Sequence, residues 1–442
     1  MSSKALDEIL AAGTHARESG RFGEAAQHFQ RALAINPKSP AALIGLGLLF
    51  EYAKELQRSE EMFQTAIRHA SRSVEAYVNL ARVLHEQKKF GEAVAYCEKA
   101  LKYAPTHEML LNNLGANLVG AGRFEDATAV YTRLAKIHPR FAKACYALGH
   151  LCTRLNRHDE AIRHFRRAME LEPQDRESAT CAGECLLLTG KADEAIEYFD
   201  RALRLNGWEV RALALKSLAL AQAGRTDAEK WLADPYRFVG SIQASELGWS
   251  PEEIAKLNLA LSEFASHHPS MREDPPENAT YHCWHSGPLA DANNPDIEKL
   301  KTLIYFALEK RVQALSTEDP DHPFVRGLPS KFGLNLWAVR MSGGSKMVPH
   351  IHTAGWLSGV YYVDVPRIVN DPQGQEAGWI KFGMPRNDIR LTKQTLTRTV
   401  KPEPGLMVTF PSYFWHDTVP LPPDSQEQRL CLAFDLGASI AP

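Results

Sequence analysis

A repeat of about 34 residues runs through the first half of the chain and constrains its fold more than any other feature. A small residue returns at one fixed place in each unit, and an aromatic residue follows four positions later. The small residues are Ala25, Ala93, Ala127, Ala161 and Ala195, and the aromatic residues are Phe29, Tyr131, Phe165 and Phe199. Units of this length stack because neighbours together bury a core that one unit cannot bury alone.

Three further sequence features recur with the same period of about 34 residues. A second small residue lies seven positions after the first, a proline closes most units, and an L-G pair or a near variant lies in each first helix. These second small residues are Ala32, Ala66, Ala100, Ala168 and Ala202, and the prolines are Pro37, Pro105, Pro139 and Pro173. Two units depart from the pattern, with Ser59 at the alanine position and Cys97 at the aromatic position.

Together these marks resemble the tetratricopeptide repeat. The resemblance implies an all-α solenoid of helix pairs, in which small residues let the helix backbones approach closely. We expect six repeats that end near Asn206, followed by one capping helix from about Val210 to Leu232. Residues 1–233 are therefore predicted to form the solenoid.

Two asparagines suggest a partner for this solenoid. Asn79 and Asn113 precede an L-A and an L-G pair one repeat apart. An amide side chain can both donate to and accept from an extended chain, and some tetratricopeptide superhelices hold a peptide backbone with asparagines at this place. Asn79 and Asn113 are thus candidate peptide-binding residues. Because the other repeats lack this asparagine, the alternative is a scaffold or a surface for homo-oligomerisation.

Residues 234–330 are predicted to be a helical connector that supports the next domain. Ser250-Pro251 and Asn294-Pro295 each place a capping residue before a proline and early acidic residues, which is typical of a helix start. The stretch 274–292 is rich in Pro, Asn and Gly, so we expect it to loop over the site. His282, Cys283 and His285 lie in it, and loop histidines without a fourth partner are expected to be solvated, with a second metal site as the alternative.

From residue 331 to 442 the pattern changes to short apolar runs separated by Pro and Gly, which predicts β-strands. The runs L-N-L-W-A-V-R and S-G-V-Y-Y-V-D-V alternate in the manner of strands. Many short antiparallel strands favour a double-sheet jelly roll, whose mouth is a natural ligand site. The aromatic residues expected to line or floor the pocket, or else to belong to the core, are Trp337, Trp356, Tyr361 and Tyr362.

Three histidines in this region form a candidate metal site. His350 and His352 are two residues apart, so strand geometry points both to one face. His416, from a distant strand, can complete a triangle of imidazoles that leaves open positions for substrate and oxygen. Arg429 can hold a carboxylate beside them through two parallel hydrogen bonds. The alternative is a buried, hydrogen-bonded histidine cluster without a metal.

The segment from about Phe332 to Leu436 resembles the 2-oxoglutarate/Fe(II)-dependent oxygenases, which form a double-stranded β-helix. The motifs are H-I-H-T-A-G-W-L-S-G-V-Y-Y-V, G-W-I-K-F-G, P-E-P-G-L-M-V-T-F-P-S-Y-F-W-H-D-T-V-P and R-L-C-L-A-F-D. The resemblance implies Fe(II), 2-oxoglutarate and O2. It implies His350 and His416 as iron ligands and Arg429 as the partner of the far carboxylate of 2-oxoglutarate.

One position departs from the family pattern. Most of the superfamily carries Asp or Glu two residues after the first histidine, where this chain has His352. Either His352 binds the metal in a three-histidine site, or water fills that position beside His350 and His416. Three imidazoles also suit zinc, so the identity of the metal stays open.

The implied activity is hydroxylation coupled to conversion of 2-oxoglutarate into succinate and carbon dioxide. No catalytic residue is predicted beyond the metal ligands. We expect a protein or peptide substrate that the repeats recruit. The alternatives are the same chemistry on a small metabolite with the repeats used for assembly, or a catalytically silent protein that binds a metal or a partner.

Length and composition exclude other classes. At 442 residues the chain exceeds what one core usually holds, so at least two domains are expected. The 51 basic and 53 acidic residues balance, which argues against nucleic acid or a membrane as a partner. Seven scattered cysteines and the lack of a visible signal segment favour a cytoplasmic protein.

Overall fold

A computed structural model describes residues 3–275, 280–371 and 374–438 of the protein. The chain divides into two compact units, Met1–Pro173 and Gln174–Pro442. Residues 276–279, which belong to the loop predicted over the site, lie outside the described part. No helix within the described ranges combines the length and the apolar character needed to cross a lipid bilayer.

The first unit consists of five helix pairs. They are α1 (Ser3–Glu18), α2 (Phe22–Ile35), α3 (Pro40–Tyr52), α4 (Leu56–His69), α5 (Val74–Glu86), α6 (Phe90–Leu101), α7 (Glu108–Gly120), α8 (Phe124–Ile137), α9 (Ala142–Arg154) and α10 (His158–Leu171). Every alanine that marks the repeat is completely buried. The predicted all-α repeat fold is confirmed, because these small residues lie where helices meet.

The periodic glycines and aromatic residues pack against each other. A Cβ atom at Gly149 would lie 2.5 Å from the ring of Phe165, and one at Gly115 would lie 2.5 Å from the ring of Tyr131. Each aromatic ring therefore occupies the space that the missing side chain leaves on the preceding helix. The second repeat follows the same rule through Phe63, which the sequence analysis overlooked.

Ser59 fits the alanine position of that second repeat because its hydroxyl has a partner. The side chain is fully buried, and its Oγ donates a hydrogen bond of 2.7 Å to the carbonyl oxygen of Gly47. A small polar residue can replace alanine here since its only polar group is satisfied.

The second unit begins with the sixth helix pair and continues into the C-terminal sheet. Its helices are α11 (Arg176–Leu188), α12 (Ala192–Leu205), α13 (Val210–Ala223), α14 (Thr226–Ala233), α15 (Pro235–Phe238), α16 (Pro251–Ser266), α17 (Pro295–Leu315) and α18 (Pro323–Arg326). The single capping helix expected up to Leu232 is two helices. Gly224 ends the first one in a left-handed conformation with φ of 74°, which glycine adopts without steric cost.

Ten strands in the described residues form one curled antiparallel sheet. They are β1 (Gly240–Gln243), β2 (Arg272–Glu273), β3 (Thr280–His285), β4 (Phe332–His350), β5 (Leu357–Asp364), β6 (Ile380–Phe382), β7 (Arg398–Val400), β8 (Leu406–Pro411), β9 (His416–Thr418) and β10 (Arg429–Ala438). Their order is β1-β8-β5-β10-β4-β9-β6-β7, and β3 pairs with both β2 and β4. This arrangement agrees with the predicted jelly roll.

Strand β4 connects the two layers of the roll. Its first part, residues 332–341, pairs with β10, whereas Met347 and His350 pair with β9. One long strand therefore belongs to both layers, and the pocket described below lies where it passes from one to the other.

The region 234–330 contains more than the predicted supporting helices. Helices α16 and α17 start at the predicted Pro251 and Pro295, and Ser250 forms a capping box with Glu253. However, β1 pairs with β8 and β3 pairs with β4. The expectation that residues 280–285 form a loop is wrong, because their backbone hydrogen bonds are made with β4. The domain limits at 233 and 330 stay predictions.

Helices α13 and α14 bond to the jelly roll within the second unit. The indole Nε1 of Trp415 donates to the carbonyl of Ala214 at 3.0 Å, and the hydroxyl of Tyr413 donates to the carbonyl of Leu232 at 2.6 Å. Both donors come from the turn between β8 and β9. These buried bonds fix that turn, and with it the start of β9.

The Gly149–Phe165 contact predicts that replacing this helical glycine with alanine destabilises the fold. Gly149→Ala should lower the free energy of unfolding, because overpacking costs about 1–3 kcal/mol and the better helix propensity of alanine returns only about 1 kcal/mol. The midpoint of urea unfolding, followed by helical circular dichroism, measures the effect. Gly91→Ala is the control, since a Cβ there meets no atom within 4 Å, and it should be neutral or stabilising. Equal midpoints for both variants would contradict this account.

Candidate metal centre

The predicted histidines converge in the structure. His350 at the end of β4 and His416 at the start of β9 are direct cross-strand partners, and His352 follows two residues later, where its N–H donates to the carbonyl of Ser412 at 3.0 Å. The ring centroids are 4.3 Å apart for His350 and His416, 4.9 Å for His352 and His416, and 5.2 Å for His350 and His352. One nitrogen of each ring lies within 4.8 Å of the others.

Backbone carbonyls determine which nitrogen of two of these rings is available. The Nδ1 of His350 lies 2.9 Å from the carbonyl oxygen of Val348, and the Nδ1 of His416 lies 3.0 Å from that of Phe414. A carbonyl only accepts hydrogen bonds, so each Nδ1 carries the proton. The lone pair of each ring is therefore on Nε2, as in metal-binding histidines.

His352 has a carboxylate partner instead. Its Nδ1 donates to Asp435 Oδ1 at 2.6 Å, and the hydroxyl of Ser358 donates to the same oxygen at 2.6 Å. The hydroxyls of Ser358 and Ser412 lie 2.8 Å apart. This network fixes the third ring with its Nε2 free, and a carboxylate behind an imidazole makes that imidazole a stronger ligand.

Both backbone-bonded imidazoles are held neutral. Burial, followed by repulsion from His352, lowers the pKa of His350 to about 4. Burial and the two neighbouring imidazoles lower the pKa of His416 well below its ordinary value. A neutral imidazole is the form that binds a metal ion, so the site needs no deprotonation at neutral pH.

The three imidazoles line a pocket of about 370 Å³, a volume within the usual range for small-molecule sites. Besides the histidines, its lining includes Thr280, His285, Trp337, Val339, Met347, Phe410, Thr418, Arg429, Cys431, Ala433 and Asp435. The lining combines apolar residues with a few polar and charged ones, as is usual for small-molecule sites.

Arg429 lies in this pocket as a buried cation. Its side chain is 2% exposed, and its guanidinium carbon lies 4.9 Å from the centroid of the Tyr362 ring. Nη1 lies 3.1 Å from the sulfur of Met341, and Nε has no hydrogen-bond partner. No acidic side chain of the described residues pairs with it. A buried, unpaired guanidinium is energetically costly, and an anionic ligand would offset that cost.

The four predicted aromatic residues occupy four different environments. Trp337 lines the pocket, with its ring 5.7 Å from that of His352. Trp356 does not line it; its indole stacks on Phe324 at 4.6 Å in the core. Tyr361 alternates to the other face of β5 and donates to Asn258 in α16 at 2.8 Å. Tyr362 lies beneath the guanidinium of Arg429.

The two candidate peptide-binding asparagines already have partners within the first unit. Asn113 is buried, and its amide donates to the carbonyl of Val78 in α5 at 3.0 Å. The side-chain oxygen of Asn79 accepts a hydrogen bond of 3.0 Å from Arg82. The bond of Asn113 joins α7 to α5, so this side chain packs between helices rather than presenting its amide to a ligand. Peptide binding by these residues stays a prediction.

Two polar residues of the site, Asp435 and Thr280, were not predicted from the sequence, and the third, His285, was expected to be solvated but is only 5% exposed. A signal for Asp435 existed, because it lies six residues after Arg429 and so on the same face of one strand. Residues 280 and 285 are separated by an odd spacing, which in a regular strand points two side chains to opposite faces. Their common face could therefore not be predicted from the spacing.

Comparison with protein families agrees with this geometry. The sequence model of a family described as "Putative 2OG-Fe(II) oxygenase" matches residues 335–435, which contain all three histidines and Arg429. Models of the tetratricopeptide repeat match residues 10–61, 72–140, 142–175 and 182–207. The chain is a tetratricopeptide-repeat protein fused to a 2OG-Fe(II) oxygenase-family domain.

Several solved structures are similar to part of this chain. Pseudomonas aeruginosa pilF is 19% identical, with a TM-score of 0.43 over 47% of this chain and 95% of that chain. YrrB, titled a TPR protein with an unusual peptide-binding site, is 23% identical, with a TM-score of 0.37 over 43% and 98%. A repeat protein from Parabacteroides merdae is 15% identical, with a TM-score of 0.43 over 57% and 96%. The comparison with curated proteins gave no match.

The neutral histidines of this oxygenase-family domain predict a pH-dependent stability. Because the pKa of folded His350 is about 4 and that of an unfolded histidine is about 6.5, acid protonates the unfolded chain first. The free energy of unfolding should therefore fall as the pH decreases from about 6.5 to about 4, by up to about 3 kcal/mol for this residue.

Urea unfolding of metal-free protein at pH 7 and pH 5 measures this loss. His350→Gln removes the titrating group, so its stability should fall less on acidification than that of the wild type. His282→Gln, at an exposed histidine, is the matched control and should retain the wild-type dependence. Identical losses for His350→Gln and the wild type would contradict the assignment.

Proposed function

We propose that the protein is an Fe(II)- and 2-oxoglutarate-dependent oxygenase that hydroxylates a protein or peptide substrate. The observation that carries this proposal is one pocket in which three imidazoles with free Nε2 atoms lie together with a buried guanidinium that has no anionic partner. The oxygenase family match over residues 335–435 supports it.

The donor set fits a divalent transition metal. His350, His352 and His416 would hold the ion, since imidazole suits iron, zinc, copper and nickel, and three protein ligands leave positions for other ligands. Three neutral ligands leave the ion more positive than two imidazoles and a carboxylate would. Asp435 contributes its negative charge through the ring of His352 and so partly compensates.

Arg429 fits the far carboxylate of 2-oxoglutarate. A guanidinium binds a carboxylate through two charge-assisted hydrogen bonds, and the surrounding sulfur and aromatic groups exclude water that would weaken them. When bound, iron and 2-oxoglutarate supply the oxidising chemistry: O2 is consumed, 2-oxoglutarate becomes succinate and carbon dioxide, and one oxygen atom enters a C–H bond of the substrate.

The side chains of this chain have supporting roles in that reaction. The three imidazoles hold the ion in one orientation, and Arg429 orients the co-substrate toward it. Apolar lining residues such as Trp337, Val339 and Phe410 limit the water in the pocket. None of these roles requires a side chain of this protein to transfer a proton.

A contact at the rim of the pocket supports the proposal that the repeats recruit the substrate. Tetratricopeptide repeats mediate protein–protein interactions in general. The indole of Trp208, between α12 and α13, donates to the carbonyl of Gly355 at 3.2 Å. Gly355 follows Thr353 and Ala354, which line the pocket. The last repeat thus adjoins the loop at the entrance, where a bound chain can reach the metal.

Turnover tests this proposal directly. Purified protein with Fe(II), 2-oxoglutarate and O2 should release succinate when a denatured cell extract supplies substrate, and His416→Ala should not. Mass spectrometry should then find a gain of one oxygen atom in the protein fraction. A gain confined to small metabolites would favour the alternative substrate class. Absence of succinate together with absence of metal binding would contradict the oxygenase assignment.

The hydrogen bond between Asp435 and His352 predicts a metal-binding defect. Asp435→Asn should weaken metal affinity by about 10–100-fold, the usual effect of losing a group that orients a ligand. Isothermal titration with a divalent metal measures it. Asp417→Asn is the matched control, because Asp417 makes no hydrogen bond to an imidazole, and its affinity should be unchanged. Equal affinities for both variants would exclude Asp435 from the role.

The unpaired charge of Arg429 predicts that stability and binding change in opposite directions. Arg429→Met removes a buried cation without a partner, so the ligand-free protein should be equally stable or more stable. Binding of 2-oxoglutarate should fall by at least about 10-fold, since a charge-assisted hydrogen bond contributes about 1.5–3 kcal/mol.

Thermal unfolding with and without 2-oxoglutarate separates these two effects. The wild type should gain stability from the ligand, and Arg429→Met should not. Arg398→Met is a control, because Arg398 on β7 bonds to the carbonyls of Pro235 and Val239 outside the pocket. Full ligand stabilisation of Arg429→Met would contradict the assignment of Arg429.

A further inference from the structure

Strand β3 places two buried polar side chains in the pocket, Thr280 and His285, which we call the β3 polar pair. Thr280 is 8% exposed and His285 is 5% exposed, and both line the pocket. The hydroxyl of Thr280 and both ring nitrogens of His285 have no hydrogen-bond partner among the described residues. The metal and the carboxylate of 2-oxoglutarate, as proposed above, use neither side chain.

A backbone irregularity turns both members of the pair to the same side. In a regular strand, residues 280 and 285 would face opposite ways. The register with β4 shifts between Tyr281 and Cys283, and His282 between them has φ of 54°. This bulge restores a common direction. Thr280 then lies opposite Met347 and His285 opposite Val339, and both of those residues line the pocket.

Leaving such groups unpaired is costly. Each buried polar group without a partner destabilises a fold by an amount comparable to a lost hydrogen bond. Three such atoms on one strand border the same cavity and are available to bond a ligand there. Bulges of this kind often lie next to functional sites. The bulge in β3 therefore indicates that the β3 polar pair has a functional role rather than a role in packing.

The chemistry of the pair selects the ligand group. Burial lowers the pKa of His285 to about 4, so this imidazole is neutral and has one donor and one acceptor. A hydroxyl likewise both donates and accepts. A carboxylate is attracted to Arg429 instead, and the carboxylate of Asp435, which would attract an ammonium group, is already bonded to His352 and Ser358. An amide fits because its carbonyl and its N–H can satisfy two side chains at once.

We propose that Thr280 and His285 form a substrate-binding site for an amide group that lies next to the carbon to be oxidised. This inference rests on the proposed function, since it assigns the third polar part of the pocket to the substrate. Such a site recognises a substrate that carries an amide, either in its peptide backbone or in a side-chain carboxamide.

Ligand-observed NMR with acetamide as the probe tests the site. The full-length protein is loaded with Zn(II) and 2-oxoglutarate, so that no turnover occurs. Acetamide should receive saturation from the wild-type protein. Thr280→Val and His285→Leu should each bind acetamide about 3–10-fold more weakly, as expected for one lost hydrogen bond. Thr280→Ser keeps the hydroxyl and should retain binding.

Titration of 2-oxoglutarate into the same protein variants, loaded with Zn(II) alone, separates the possible failures. Unchanged 2-oxoglutarate affinity in both variants supports the inference. Loss of that affinity would assign the pair to the co-substrate, and equal acetamide binding by variants and wild type would also overturn the inference; neither result affects the proposed function. A wild type that binds no 2-oxoglutarate would contradict the proposed function, while acetamide binding would still report on the pair.

Discussion

The antiparallel pairing of β4 with β9 is the interaction on which the rest of the site depends. It places His350 directly opposite His416, although 66 residues separate them in the chain. β9 is only three residues long, so its position relies on the turn before it. The bonds of Tyr413 and Trp415 to helices α14 and α13 hold that turn in place. Helices α13 and α14 therefore help to position one of the candidate metal-binding histidines.

The pocket concentrates groups that a folded protein normally avoids burying. It contains imidazoles kept neutral by burial, a guanidinium without an anion, and the unpartnered β3 polar pair. The unpaired guanidinium lowers the stability of the ligand-free protein, and the buried imidazoles lower it on acidification. The regular core of small and aromatic residues elsewhere supplies the stability that makes this arrangement possible. Ligand binding should therefore stabilise this protein strongly, because the ligands satisfy several of these groups together.

Local periodic signals in the sequence predicted much of the fold. The spacing of alanines, glycines and aromatic residues predicted the helix pairs, because the same contact recurs in each repeat. The spacing of His350 and His352 and the motif around His416 predicted the cluster. Features set by distant contacts could not be read in this way: the β3 strand was missed because a bulge breaks its alternation, and the hydrogen bond of Asn113 was not foreseen because its partner Val78 lies on another helix.

The most direct test of the account is the number of imidazoles bound to the metal. X-ray absorption spectroscopy of the anaerobic Fe(II)-loaded protein resolves it through the multiple scattering of imidazole rings. The account predicts three imidazoles in the wild type and two in His352→Ala. A wild-type spectrum with two imidazoles, or one that His352→Ala leaves unchanged, would contradict the convergence of all three rings on one ion.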